Sequence, residues 1–242
     1  MTVVVTGAAG AIGNACVERF LSEGEDVIAQ DLDAAAWSNT AWSDSARVTV
    51  VKGNLLSPQC LDQLALAAGG GPLRAAVAAH GVAGSAVLAD CTPQFVDRVL
   101  TVNASTIPLL YRAVRTRLQA ANGAFVAIAS QAALIGEAGN TAYCAAKFAV
   151  LGWVRAVAQR ESNLTLHALC PGATNSQLLI TAQQQFAAAD GIGVEDYYRE
   201  RARQIAVNRY GEPREIAAAA SYLSSGGRRP VVLAVTGGDV LF

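Results

Sequence analysis

Hydrophobic positions along the chain follow two alternating rhythms. Short runs of β-branched or small apolar residues, bounded by glycine and polar clusters, recur at 2–6, 26–30, 47–51, 74–79, 123–129, 164–169 and 230–235. They read as buried strands. Between them, apolar residues return every three or four positions at 11–23, 57–68, 93–121, 141–161 and 213–224, the spacing of one helix face. In the first of these stretches the face is Ile12, Cys16, Val17 and Phe20; in the long third one it is Phe95, Val99, Val102, Leu109, Leu110 and Val114. Alternating strands and helices predict an α/β fold: one domain over 1–242, a doubly wound parallel sheet (Rossmann-like) of about seven strands flanked by helices. Pro108 breaks the third helix. It has no N–H for the carbonyl of Ala104, so a bend is expected beside Asn103, with a carbonyl left for water.

Such sheets bind ligands at the carboxyl ends of their strands. Gly7, Asp31, Asn54, Gly81, Ser130 and Pro171 all fall at such ends, so six segments converge on one edge. The first strand, Thr2 to Thr6, is wholly β-branched and runs into Gly7-Ala8-Ala9-Gly10-Ala11-Ile12-Gly13, after which the helical pattern starts. Strand, glycine turn and helix make a dinucleotide-binding context. The glycines let the backbone approach a pyrophosphate, and the helix N-terminus offers unpaired N–H groups. Asp31 lies 18 residues beyond Gly13, at the end of the second strand. A carboxylate there accepts hydrogen bonds from ribose hydroxyls and repels a 2′-phosphate. No lysine or arginine lies between Gly7 and Gly13 to offset that repulsion, so the expected cofactor is NAD rather than NADP.

Tyr143 precedes Lys147 by four residues, and Ser130 stands 13 residues before the tyrosine. Residues four apart share a helix face. An ammonium there is expected to lower the phenol pKa from its usual value near ~10. The tyrosine can then pass a proton to a ketone oxygen or take one from an alcohol, with the serine hydroxyl fixing that oxygen. The chain has six tyrosines but only two lysines, Lys52 and Lys147, against 16 arginines. A tyrosine packed on a helix with lysine at its rim is the plainer reading of an isolated pair; the glycine loop shifts the balance toward chemistry.

A length of 242 residues suits one substantial core. A formal net charge of −1 gives no reason to expect nucleic acid or an anionic membrane as partner. Five cysteines (Cys16, Cys60, Cys91, Cys144 and Cys170) without close pairs suggest reduced thiols in a cytoplasmic protein. Cys144 adjoins Tyr143 but points elsewhere on the helix, so no catalytic role is assigned to it. His80 and His167 are too isolated for a metal site, and no metal is expected. No apolar stretch reaches membrane-spanning length, and the strand starting at Thr2 leaves no room for a signal peptide.

The glycine spacing is Gly-x-x-x-Gly-x-Gly, and the chain resembles the short-chain dehydrogenase/reductase family. The resemblance runs from Thr6-Gly7-Ala8-Ala9-Gly10-Ala11-Ile12-Gly13 through Asn103, Ser130, Tyr143-x-x-x-Lys147 and Pro171-Gly172 to Gly237-Gly238, all in the family's order. It implies a cofactor site of Gly7, Gly10, Ile12, Gly13, Asp31, Leu32, Asn54, Leu55, Gly81, Tyr143, Lys147, Pro171, Gly172, Thr174 and Ser176. Asn54 stands where the family commonly has an acid contacting adenine; Ser176, or the nearer Thr174, would bind the carboxamide. Tyr143 would be the acid/base, Ser130 would orient the substrate oxygen, and Lys147 would bind ribose. Asn103 would hold a water linking the lysine to solvent. Ser130, Gln131, Leu134, Tyr143 and Ala173 would line the substrate pocket, with 176–208 as a lid.

That lid holds Gln183-Gln184-Gln185, Phe186 and Tyr197-Tyr198, and glycines 191 and 193 favour a mobile turn. Arg199, Arg201 and Arg203 read as a solvated face. Where the family has Asn-Asn-Ala-Gly, this chain has Ala78-Ala79-His80-Gly81, with His80 either a partial substitute or merely structural. Arg228-Arg229-Pro230 also departs from the family before the last strand. The resemblance implies a homo-oligomer (tetramer or dimer) joined through helices 93–121 and 141–161. The expected activity is hydride transfer between NAD and a small secondary alcohol or ketone. The alternatives are a 3-oxoacyl thioester reductase, against which Asp31 argues, and a non-catalytic nucleotide-binding regulator, against which the retained Tyr143 and Lys147 argue.

Overall fold

Seven parallel strands form the sheet of the computed structural model, which describes residues 1–32, 37, 40–84, 88, 91–225 and 232–240. They are β1 (Thr2–Thr6), β2 (Asp26–Asp31), β3 (Val48–Lys52), β4 (Leu73–Ala78), β5 (Ala124–Ile128), β6 (Thr165–Pro171) and β7 (Val232–Val235). Their order is β3-β2-β1-β4-β5-β6-β7, with every pairing parallel. The chain reverses its direction of travel across the sheet between β1 and β4, where doubly wound sheets open a crevice. The departure at Arg228-Arg229-Pro230 lies outside the described residues.

Helices cover both faces. α1 (Ala11–Ser22) and α8 (Pro213–Leu223) pack on one side, where Cys16, Val17 and Phe20 meet Val3, Val5, Ile216 and Leu223. α2 (Pro58–Leu66), α4 (Thr106–Ala120) and α5 (Thr141–Ala158) cover the other, around Phe125. There Tyr111 and Trp153 set their rings edge-on to Phe125, with centroids 5.3 and 5.9 Å away. Truncating such a buried ring costs about 3–5 kcal/mol.

The expected long helix is divided. α3 (Pro93–Leu100) leads into one wide turn, Thr101–Ser105, with π-type hydrogen bonding, and α4 follows. Pro108 is the third residue of α4, so the missing N–H is absorbed where the ladder widens. The widened turn contains Asn103, the position beside which Pro108 led a bend to be expected. The widened turn carries Asn103 into the interior.

The segment 176–208 is ordered as two helices, α6 (Gln177–Asp190) and α7 (Val194–Gln204). Its glycines fall in the turn between the two helices, where each also serves a helix end. Gly191 closes α6 in the left-handed region at φ 67°, and Gly193 opens α7 as its N-cap. Ser176 starts α6, its hydroxyl accepting from the Leu179 N–H at 3.1 Å.

Gly13 shows how tightly α1 is seated. A Cβ on it would stand 2.0 Å from the Gly7 carbonyl oxygen, so backbone would have to move. Gly13→Ala is expected to lower stability by about 1–3 kcal/mol, or about 2–4 °C in Tm for each kcal/mol. A melting curve superimposable on the wild type would contradict this packing.

Candidate active site

At the end of β1 the backbone turns through Gly7 at φ 66°, and a side chain there would lie 2.6 Å from the His80 backbone. β4 ends beside it, so two chain segments touch where the crevice begins. Asp31, closing β2, turns its carboxylate back onto the same loop. One oxygen accepts from the Ala9 N–H at 2.9 Å and the other from the Leu32 N–H at 2.6 Å.

Two adjoining cavities, of about 520 and 460 Å³, follow the strand ends. Gly7, Asp31, Leu32, Asn54 and Leu55 line the first; Ile12, Gly13, Ser130, Gln131, Tyr143, Lys147, Pro171, Gly172, Ala173, Thr174 and Ser176 line the second. Gly10, Ala79, His80 and Gly81 line both. Gly7, Gly10 and Gly13 leave the loop bare of side chains along the two cavities, which fits a closely approaching dinucleotide. Arg98 of α3 also lines the Asp31 cavity, which the sequence did not suggest because its cation comes from a distant helix.

Ser130 and Tyr143 both line the second cavity, and the serine hydroxyl acts on the phenol there. Lys147, one turn along α5, is buried; its ammonium donates to the Ile128 carbonyl at 3.0 Å and sits 5.4 Å from the Tyr143 ring centre. The expectation that Lys147 acidifies the phenol is corrected here. Burial pushes the Tyr143 pKa well above its ordinary value; the Ser130 hydroxyl pulls it back and the Glu137 charge adds to the rise. Burial likewise holds Lys147 down at about 8. At neutral pH the phenol therefore keeps its proton.

Leu134 is also corrected. It packs into the core beneath the loop, and its neighbour Ile135 lines the cavity instead. Asn103 lines neither cavity: its amide donates to the carbonyls of Val82 and Val99, at 3.1 and 3.0 Å, and accepts from the Val82 N–H at 3.2 Å. It fastens the loop after β4 to the widened turn. Asn54 accepts from the Leu56 N–H at 2.9 Å, closing the turn after β3. Thr174 donates to the Gly172 carbonyl and Ser176 to the Thr174 carbonyl, so both candidate carboxamide hydroxyls are already tied to backbone.

From the segment 176–208, Gln183, Phe186 and Tyr197 reach the cavity, whereas Tyr198 turns away to Asn175 and Tyr210. Arg199 and Arg203 are exposed, but Arg201 lines the cavity and pairs with Asp239, so the solvated-face reading fails for that one residue. Glu137 was missed altogether. It accepts from the amides of Gln131 (3.0 Å) and Asn140 (2.8 Å), and its N–H donates to the Cys144 sulfur at 3.4 Å. Nothing in the sequence marks it beyond a lone acid between Ser130 and Tyr143.

His80 bridges three segments. Its Nδ1 lies 2.6 Å from the Thr6 hydroxyl and its Nε2 2.7 Å from that of Thr106, which donates onward to the Val102 carbonyl. Because Thr106 spends its proton on Val102, Nε2 carries the ring proton and Nδ1 accepts from Thr6. Burial, with the Lys147 charge second, holds the ring neutral down to about 3.

The descriptive model for short chain dehydrogenases matches residues 1–186. The chain belongs to that family. Galactitol 2-dehydrogenase of Agrobacterium fabrum is 25% identical over 228 residues, covering 92% of this chain and 89% of that one. Acetoacetyl-CoA reductase of a Synechocystis species is 26% identical over 243 residues, covering 99% and 92%. The crystal structure of actinorhodin polyketide ketoreductase with NADPH superposes with a TM-score of 0.92 at 21% identity, covering 100% of this chain and 97% of that one, a likeness of fold. The chain is thus an oxidoreductase of this family. Among the described residues no helix is long and apolar enough to cross a membrane, and no three metal-ligating side chains gather.

His80 generates a pH prediction. An unfolded histidine binds its proton near 6.5 and the folded one only near about 3. Between those values the unfolded state holds more protons, so stability falls as pH drops through that window. His80→Asn is expected to remove this component, and chemical denaturation of both proteins across the window measures it. Parallel stability–pH curves would refute the neutral bridge.

Proposed function

We propose that this dehydrogenase interconverts a small secondary alcohol and its ketone with NAD. The observation that carries the reading is the gathering of Ser130, Tyr143 and the buried Lys147 on the wall of a cavity that adjoins the one lined by Asp31. Gly7, Gly10, Gly13 and Asp31 would hold the dinucleotide, with Pro171, Gly172, Thr174 and Ser176 at its other end. The bound nicotinamide supplies or accepts the hydride. Ser130 fixes the substrate oxygen, and Tyr143, protonated at neutral pH, donates to a ketone oxygen or receives the alcohol proton in reverse. Lys147 holds positive charge beneath the ring. Asn103 keeps the loop after β4 in place beside that ammonium, and we assign it to the proton path.

NAD is favoured by the Asp31 carboxylate, whose two oxygens are already oriented by backbone N–H groups. Arg98 on the same cavity is the one observation that leans toward a 2′-phosphate. The similarity to galactitol 2-dehydrogenase supports an alcohol substrate. The similarity to acetoacetyl-CoA reductase keeps a 3-oxoacyl thioester as the second reading. A homo-oligomer built through α3, α4 and α5 and a cytoplasmic location belong to the same proposal.

Tyr143→Phe is expected to lower kcat by about 10²–10⁴-fold while dinucleotide binding, read by fluorescence titration, stays within a few-fold. Retained turnover would take the tyrosine out of this role. Asp31→Ser removes the charge that opposes a 2′-phosphate. It should shift the NAD/NADP ratio of kcat/KM toward NADP by about ten- to a hundredfold, the worth of a charged hydrogen bond. A wild type that prefers NADP would overturn the NAD assignment.

A further inference from the structure

Ser130 and Tyr143 reach the second cavity from two separate segments. Ser130 lies just beyond β5 and caps the short turn Gln131–Ala133, whereas Tyr143 is the third residue of α5. The spacing of the two hydroxyls therefore depends on what ties these segments together. Glu137, in the loop between them, is such a tie. One carboxylate oxygen accepts from the Gln131 amide at 3.0 Å and the other from the Asn140 amide at 2.8 Å. Gln131 is the neighbour of Ser130, and Asn140 is the N-cap residue of α5. Both are buried. The main chain of Glu137 grips the same helix end twice more. Its carbonyl accepts from the Asn140 N–H at 3.1 Å, and its N–H donates to the Cys144 sulfur at 3.4 Å.

Hydrogen bonds to an ionised acceptor are stronger than neutral ones, so two amides on one carboxylate make a firm tie. The cations of the cavity are committed elsewhere: Arg201 pairs with Asp239, and Lys147 donates to the Ile128 carbonyl. Among the described residues Glu137 forms no ion pair. We propose that Glu137 is a positioning residue for the catalytic pair: it joins the segment of Ser130 to the helix of Tyr143 and sets an unneutralised carboxylate on the same cavity wall as the phenol. The groups around the phenol come from several elements. Lys147 and Cys144 belong to α5, Ser130 follows β5, and Tyr197 and the paired Arg201 reach the cavity from α7. His80, after β4, stays neutral down to about 3. Glu137 is the one that brings negative charge without a cation of its own. That charge opposes loss of the phenol proton, which keeps the acid ready for a ketone oxygen. The inference rests on the alcohol/ketone reading above, in which Tyr143 carries the proton.

Two variants separate the tie from the charge. Glu137→Ala removes both. Glu137→Gln removes the charge and can keep the tie: its oxygen accepts from Asn140, and its amide donates to the Gln131 Oε1 once that side-chain amide turns over. The Gln131 Oε1 has no partner to lose. With NAD and 2-butanol, 2,3-butanediol or cyclohexanol, kcat is measured across pH, and dinucleotide binding is read by fluorescence titration. Glu137→Ala is expected to lower kcat by about ten- to a hundredfold, the cost of misplaced reacting groups, while the dinucleotide Kd stays within a few-fold. Glu137→Gln should recover most of that loss. In both variants the limb of the pH–rate profile that reports the phenol moves to lower pH, because the charge opposing its ionisation is gone. A merely structural residue would leave that limb in place. A limb that does not move in Glu137→Gln, a Glu137→Ala enzyme as fast as the wild type, or a Gln variant no faster than the Ala one would overturn the inference and leave the alcohol reading intact. A wild type inactive on these alcohols and their ketones with either dinucleotide would sink both.

Discussion

Where β1 and β4 end, the Gly7 backbone lies against the His80 backbone with no room for a side chain between them. The rest of the site depends on that contact. It puts the glycine loop, the start of α1 and the loop after β4 at one point of the sheet edge. A parallel sheet opens its crevice there because the connections leave in opposite directions on either side. The contact is held by hydrogen bonds as well as packing. Thr6 donates to His80, His80 to Thr106 and Thr106 to Val102, so β1, the loop after β4 and the widened turn of the third helix are joined through one neutral ring.

That widened turn links backbone physics to the chemistry. Pro108 denies the helix one donor, and the ladder loosens just upstream. Asn103 thereby faces inward and spends its amide on Val82 and Val99. Its carbonyl oxygen also sits beside Gly81, where a Cβ would come within 2.8 Å of it and 3.8 Å of the Lys147 ammonium. The asparagine and the lysine are thus brought to the same glycine by a helix whose hydrogen-bond ladder widens just before Pro108.

Electrostatics in the cleft follow burial more than pairing. Lys147 and Tyr143 are both pushed toward their neutral forms by desolvation, in opposite pKa directions. A four-residue spacing suggests a phenol acidified by its neighbour, but the ammonium lies under the ring and is directed at a main-chain carbonyl. The group that opposes the desolvation of the phenol is the Ser130 hydroxyl. Spacing along a helix fixes which residues share a face, and only packing decides how far each is taken out of water.

The fold and most of the site were legible in the residues themselves. β-branched runs, helical periodicity and the Gly7–Gly13 loop specify local geometry, and local geometry with right-handed crossovers leaves few sheets to choose from. Ser130, Tyr143, Lys147 and Asp31 stood out because their chemistry sits at strand ends or one helical turn apart. Glu137, Arg98 and Arg201 did not, since each reaches its cavity from a loop or helix whose placement depends on long-range packing. Leu134 and Ile135 were interchangeable by sequence until the loop after β5 chose which one faced the core. The sequence by itself determined the sheet, its nucleotide-binding edge and the serine–tyrosine–lysine set, because these follow from short-range backbone and periodicity rules. The tertiary structure alone decided the protonation of that set and the polar lining around the substrate, because both arise from what distant segments bury.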